Sequence, residues 1–152
     1  MRPFAAFLVV LLALPIAAFG QPVHLQGKFA LVRAPEADVR IPTGEIRATL
    51  DDNNDVRVDL VVSGLTERPT SVTLHTGTQG GESSGQVARM DVVADGDAAR
   101  VIGGTASLTP AIAQQVRDGQ GYVVLRTNEH PDGFMRASLA VQPRTLGTTS
   151  NP

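Results

Sequence analysis

The sequence predicts an all-β protein, an antiparallel β-sandwich or barrel of about eight strands with one short helix. Three observations carry this expectation. Residues 55–63 alternate, with Val56, Val58, Leu60 and Val62 on one face and Arg57, Asp59 and Ser63 on the other, the period of a half-buried strand. Further short apolar runs recur at close spacing, with Gly, Pro, Asp or Asn near most junctions. Beyond residue 20 the chain has no tryptophan, one tyrosine (Tyr122) and two phenylalanines (Phe29 and Phe134). The core must therefore be mostly Val, Leu, Ile and Ala, a composition that suits tightly paired strands.

The N-terminus reads as an export signal. A basic residue, Arg2, precedes an apolar run over residues 4–16, and small residues Ala18 and Gly20 occupy the minus-three and minus-one positions of a cut after Gly20. The run is shorter than the roughly 20 residues needed to cross a bilayer core, and Pro15 and the polar Gln21-Pro22 argue against an uncleaved anchor. The expected mature chain begins at Gln21, has no later membrane span, and is secreted or periplasmic. Residues 21–142 suit one β domain of ordinary size. Residues 143–152, polar and bounded by Pro143 and Pro152, read as a flexible tail.

Within the domain, Ile46, Ala48 and Leu50 are in phase over residues 43–50, and Asp51-Asp52-Asn53-Asn54 is built of residues that tolerate tight turns. Residues 43–50 and 55–63 are thus expected to form a hairpin. Further strands are expected at 25–32, 70–76, 86–93, 104–108, 121–127 and 134–141. One segment breaks the pattern. Thr109 can cap a helix, Pro110 suits its first turn, Ala111, Ile112, Gln115 and Val116 continue it, and Gly119 can end it. Two stretches also match at equal spacing, Gly44-Glu45-Ile46-Arg47-Ala48-Thr49-Leu50 and Gly133-Phe134-Met135-Arg136-Ala137-Ser138-Leu139. They read either as strands in equivalent positions of a pseudo-symmetric fold or as a chance likeness between short strands.

Composition removes several function classes. The chain has no cysteine, which excludes disulfides, a lipidated N-terminal cysteine, a thiol nucleophile and cysteine-based zinc sites. Loss of Arg2 with the signal leaves 12 Lys and Arg against 15 Asp and Glu, a charge of −3, and no footprint for nucleic acid or anionic lipid. The serines lie outside any Gly-x-Ser-x-Gly elbow, and nothing pairs Glu45, Glu67, Glu82 or Glu129 at a catalytic separation, so surface solvation is the ordinary role of these carboxylates. No catalytic motif is found, and the chain is expected not to be an enzyme. Scarce aromatics argue against stacking platforms for sugars or single-stranded nucleic acid.

Three histidines, His24, His75 and His130, are scattered, and only His75 stands beside a flexible glycine-rich segment. It is either a metal ligand or a hydrogen-bonding or exposed histidine at a strand end, and a lone imidazole gives little metal affinity. Asp51, Asn53 and Asp55 have the opening spacing of a calcium loop, but Val56 stands where such a loop needs glycine and Val62 where it needs glutamate; a solvated turn explains the same residues. Gly77, Gly80, Gly81 and Gly85, interleaved with Thr76, Thr78, Gln79, Ser83 and Ser84, are either an adaptable ligand loop or a long connection, without the lysine-serine ending of a phosphate loop.

The order of motifs also carries a resemblance. Val61-Val62-Ser63-Gly64-Leu65 is followed by Val72-Thr73-Leu74-His75-Thr76-Gly77. Later come Gly121-Tyr122-Val123-Val124-Leu125-Arg126-Thr127 and Pro131-Asp132-Gly133-Phe134-Met135-Arg136. This series resembles the CHRD domain, an extracellular all-β module named from chordin, from about Gly27 to Val141. The resemblance implies a His-x-His before the first glycine loop and an Asn-x-His-Thr in the late strand. Here Thr73 stands for the first histidine, His75 keeps the second, Val124 replaces the asparagine and Arg126 the late histidine; Phe134 and Ala137 depart from the family's Gly-Glu-x-Arg-Gly ending. The preferred reading is an exported, non-enzymatic domain that binds an extracellular or envelope protein or a small ligand through His75, Thr76, Gly77, Gln79 and Arg126. Two alternatives stand beside it: a metal-binding or redox module centred on His75, and a structural protein that self-associates through an exposed edge strand.

Overall fold

Eleven strands and one helix form among the residues that a computed structural model of the chain describes, which are 21–35, 38, 40–77 and 85–143. The expected signal peptide (1–20), Gln79 with most of its glycine-rich loop, and all of the expected tail but Pro143 lie outside the described residues. Two antiparallel sheets face each other, as expected for a sandwich. The first joins, in spatial order, β11 (Ala140–Val141), β1 (Val23–Lys28), β3 (Thr43–Leu50), β4 (Asp55–Ser63), β8 (Ala98–Ser107) and β7 (Val93–Asp95). The second joins β2 (Ala30–Leu31), β10 (Met135–Ser138), β9 (Gly121–Thr127), β5 (Pro69–Thr76) and β6 (Gln86–Met90).

Alternation sends one row of each strand inward. In β4 the pattern is complete, with Val56, Val58, Leu60 and Val62 buried and their neighbours exposed. These pack with Leu25, Ile46, Ala48 and Leu50 of the first sheet against Val72, Leu74, Val123, Leu125 and Met135 of the second. The β3–β4 turn follows the sequence reading: Asp51 Oδ1 accepts from the backbone N–H of Asn53 and of Asp55, each at 2.9 Å, and Asn54 has φ 65°. That carboxylate closes its own turn. Helix α1 (Pro110–Arg117) forms between β8 and β9 with the expected signals. Thr109 Oγ1 accepts from Ile112 N at 3.4 Å, and Gly119 takes a left-handed φ of 79° just past the helix. Buried Ala113 and Val116 turn the helix onto the ends of β5 and β9.

The eight expected strands become eleven for one physical reason. The segments 25–32, 86–93 and 134–141 each contribute a strand to both sheets, as β1 and β2, β6 and β7, and β10 and β11. At two of the crossings a buried apolar residue, Phe29 or Leu139, enters the core. Its N–H bonds a neighbouring strand, Phe29 to Gly44 O and Leu139 to Gly121 O, each at 2.9 Å. The sheets close tightly there, since a Cβ on Gly27 would lie 2.2 Å from the carbonyl oxygen of Ser138. Strand β8 is longer than the expected 104–108, because Gly103 and Gly104 sit inside it. Gly103, with φ 64°, donates its N–H to Asp59 Oδ1 at 2.6 Å where the β4–β8 register shifts.

The repeated heptapeptides are not equivalent positions. β3 is the first arm of a hairpin in the first sheet and β10 the second arm of one in the second sheet, so Arg47 and Arg136 lie on different sheets. Their likeness is that of strands with the same alternation.

Candidate functional site

Strands β5 and β9 lie side by side near the middle of the second sheet, and both of their faces are buried. Their inward rows, Val72 and Leu74 with Val123 and Leu125, belong to the sandwich core, whereas Tyr122 and Val124 are buried outside that cluster. The register pairs Ser71 with Arg126, Thr73 with Val124 and His75 with Tyr122. On the other side of β9, Arg136 of β10 pairs with Val124. Four residues from three strands thereby meet on the outer face: Thr73, His75, Arg126 and Arg136, around Tyr122.

Two networks hold this face. In the first, the Thr73 hydroxyl joins two separated side chains. Arg126 Nη1 donates to Thr73 Oγ1 at 2.5 Å, and Thr73 Oγ1 lies 2.9 Å from His75 Nε2. A guanidinium can only donate, so the hydroxyl accepts from Arg126 and keeps its own hydrogen for His75 or, at 3.5 Å, the Val124 carbonyl. In the second network, the His75 and Tyr122 rings stack with centroids 5.1 Å apart and planes 8° from parallel. The Arg136 guanidinium carbon sits 4.5 Å from the Tyr122 centroid. Thr73 and His75 are 1% and 7% exposed. Arg136 Nε is buried and has no hydrogen-bond partner among the described residues.

Of the residues singled out in the sequence, the fold brings together His75 and Arg126, through Thr73. Thr76 is one residue out of phase with His75 and turns to the opposite side of β5. Gly77 closes the strand end, donating its N–H to Gln120 O at 2.9 Å, and Gln79 lies outside the described residues. Tyr122 and Arg136 were not among the expected site residues. A period-two reading of β9 and β10 puts Tyr122 in phase with Arg126, but register with β5 and β10 was needed to bring them beside His75.

A family model for the CHRD domain matches residues 22–139. The chain belongs to the CHRD domain family. Comparisons with curated proteins and with solved structures gave no match. In this CHRD domain the four positions at which the sequence was compared with the His-x-His and Asn-x-His patterns, Thr73, His75, Val124 and Arg126, converge on one patch of two adjacent strands. Those residues do not fit a metal ion. One imidazole remains, and Arg126 brings a permanent positive charge to the hydroxyl that His75 also uses. Among the described residues no three of His, Cys, Asp and Glu gather closely enough to hold a metal.

The other histidines sit elsewhere. His24 Nδ1 lies 3.3 Å from Thr49 Oγ1 on the exposed face of the first sheet. His130 occupies the β9–β10 turn, where Nδ1 is 2.8 Å from Glu67 Oε2 and the same carboxylate oxygen accepts from the Thr127 hydroxyl. Glu67, expected to be a solvated carboxylate, has a side chain only 9% exposed. It ties the β4–β5 connection to the β9–β10 turn beside a cleft of about 470 Å³ lined by Arg33, Arg40, Glu129 and Phe134. No local sequence signal announced this pair, since its members are 63 residues apart.

Proposed function

We propose that the protein is an exported, non-enzymatic CHRD domain that binds a protein or small ligand outside the cytoplasm, in the secreted or periplasmic space, through the outer face of its second sheet. The observation that carries this reading is the Arg126–Thr73–His75 network beside the Arg136–Tyr122–His75 stack. Polar groups on a β face exposed to water need no such organisation. Here three strands hold two guanidinium groups and an imidazole in fixed relation, as a recognition surface requires. Support for export comes from the residue order of positions 1–20, and no described helix is long and apolar enough to cross a membrane.

Calorimetric titration of the purified protein with copper, zinc and calcium separates this reading from the metal alternative. The expected result is no tight stoichiometric binding in either wild type or His75→Ala. Tight binding that His75→Ala abolishes would replace the binding module by a metal centre. Fusion of residues 1–20 to a reporter active only outside the cytoplasm tests export; a silent reporter removes that part of the proposal.

One observation favours self-association as a second reading. Strand β7 pairs with β8 only over Ala98–Arg100, and the nearby Val93 and Ile102 are 67% and 79% exposed. Sedimentation over a range of concentrations tests it, and a monomer throughout removes it.

A further inference from the structure

Charge is distributed unequally between the two sheets. The strands of the first sheet carry Lys28, Arg47, Arg57 and Arg100 together with Glu45, Asp55, Asp59 and Asp95. Those of the second carry Arg89, Arg126 and Arg136 and no Asp or Glu. The three arginines share the outer face. Arg89, Thr73, Val124 and Arg136 form one continuous cross-strand row, and Arg126 follows Val124 by two residues along β9. None of the three has an ion-pair partner among the described residues, although the whole chain is acidic.

The geometry points to an acidic peptide as the ligand of this face, bound in extended form with carboxylates on alternate residues. The inference rests on the binding reading given above and names its partner class. Arg136 supplies the anchor. Its Nε is buried, with no hydrogen-bond partner among the described residues, while the half-buried side chain lies over the Tyr122 ring; the guanidinium is thereby held in place, and its two Nη nitrogens are the ones left for end-on bidentate contact with a carboxylate. Arg126 stands diagonally from Arg136 on the adjacent strand, at a Cβ separation on the order of 7 Å. An extended peptide places side chains i and i+2 on one side at roughly 6.8 Å, so two alternate carboxylates match the two guanidinium groups. Arg89 lies three strand spacings from Arg136, about 14 Å away, and extends the track across the sheet. Sugar rings are the poorer match, because both faces of Tyr122 are taken, one by His75 and the other by Arg136.

The test is fluorescence anisotropy of a dye-labelled peptide of alternating Glu and Ser, titrated with the purified protein, with an alternating Lys and Ser peptide as control. Saturable binding of the acidic peptide alone is expected. Arg136→Gln should weaken it roughly tenfold or more, the loss expected for a charge-assisted contact. Arg136→Lys, which keeps the charge and loses the fork, should fall between, and Arg47→Gln on the first sheet should bind like wild type. Arg89 is exposed, so Arg89→Gln leaves folding intact and should weaken binding by about two- to threefold. Wild-type affinity in both Arg136→Gln and Arg89→Gln overturns the proposal, as does an equal loss in Arg47→Gln, which would mark unspecific charge attraction. Stronger Arg136-dependent binding of polygalacturonate than of the peptide overturns the peptide class in favour of an acidic polysaccharide. Absence of any acidic ligand, with the metal titration also blank, removes this partner class and leaves the binding reading standing; a His75-dependent metal signal removes the binding reading itself.

Discussion

The two outer faces of this sandwich solve the same problem in different ways. On the first sheet, cross-strand register sets Lys28 opposite Glu45 and Arg47 opposite Asp59, while Arg57 approaches Asp59 at 3.9 Å and Arg100 approaches Asp95 at 4.0 Å. All of these side chains are exposed, so water and a neighbour of opposite sign satisfy each charge at little energetic consequence. On the second sheet, Ser71, Thr73, His75, Tyr122 and Val124 are buried, and Arg126 donates to a hydroxyl while Arg136 lies over a ring, neither meeting a carboxylate among the described residues. A solvated face tolerates substitution; an organised one does not. The difference teaches where in the fold specific recognition can reside, and it can be broken by measurement.

The largest expected effect is at Tyr122, whose ring lies between His75 and Arg136. Tyr122→Ala should lower the unfolding free energy by about 3 kcal/mol, at the low end for truncating a large buried aromatic because one face abuts a guanidinium and not the core. Tyr122→Phe, which keeps the ring, should stay within about 0.5 kcal/mol. Val61→Ala on the outer face of the first sheet, where Val61 is 51% exposed, should also cost no more than about 0.5 kcal/mol. Urea denaturation of the three variants reads the contrast directly. Equal losses at Tyr122→Ala and Val61→Ala would mean that the two faces do not differ.

Next in size is Thr73→Val. The substitution keeps shape and removes the hydroxyl, leaving Arg126 Nη1 and His75 Nε2 without it. Losing the two hydrogen bonds at this hydroxyl costs roughly 1–3 kcal/mol, and about 2 is expected here, with Thr73→Ser restoring most of it. If Thr73→Val were neutral, the hydroxyl bridge would not organise the face.

How far the sequence foretold these faces depends on whether the signal was local. Alternation in β4 and the Thr109-Pro110 start of the helix are written within a few residues, and both appear where expected. The crossings at Phe29 and Leu139 were not legible, because a strand that changes sheets keeps its period while its partners change. The expected strand starts at Gly104, yet Gly103 and Gly104 lie inside β8, at an irregularity where Asp59 of another strand accepts the Gly103 N–H. The same logic governs the site. His75 and Arg126 could be chosen from motif positions. Their meeting through Thr73, and the role of Tyr122 and Arg136, depend on the β5–β9 and β9–β10 registers, which no single segment encodes.

The Glu67–His130 pair sharpens the comparison by offering a polar contact of intermediate burial. Its carboxylate is nearly buried, whereas the His130 side chain is 34% exposed, so solvent screens part of the interaction. Glu67→Gln should therefore cost about 1 kcal/mol in urea denaturation, less than Thr73→Val. A larger loss than at Thr73 would place the tightest polar organisation of the molecule in the β9–β10 turn and not on the second sheet.

The smallest effects belong to the first sheet, and their smallness is itself the claim. Arg57→Gln removes a guanidinium that reaches Asp59 at 3.9 Å with 64% of its side chain exposed. Asp59 keeps its better bond, from the Gly103 N–H at 2.6 Å, so the β8 bulge survives. The expected change is within about 0.5 kcal/mol, as for most exposed substitutions. Asp59→Ala is the sharper companion, because it removes the acceptor that pins Gly103 at φ 64° while altering the same exposed charge pair. It should cost about 1 kcal/mol, and the excess over Arg57→Gln measures the backbone contact free of the ion pair. Were Arg57→Gln as damaging as Thr73→Val, charge pairing on the open face would be stabilising the sheet, and the division between a solvated face and an organised one would fail.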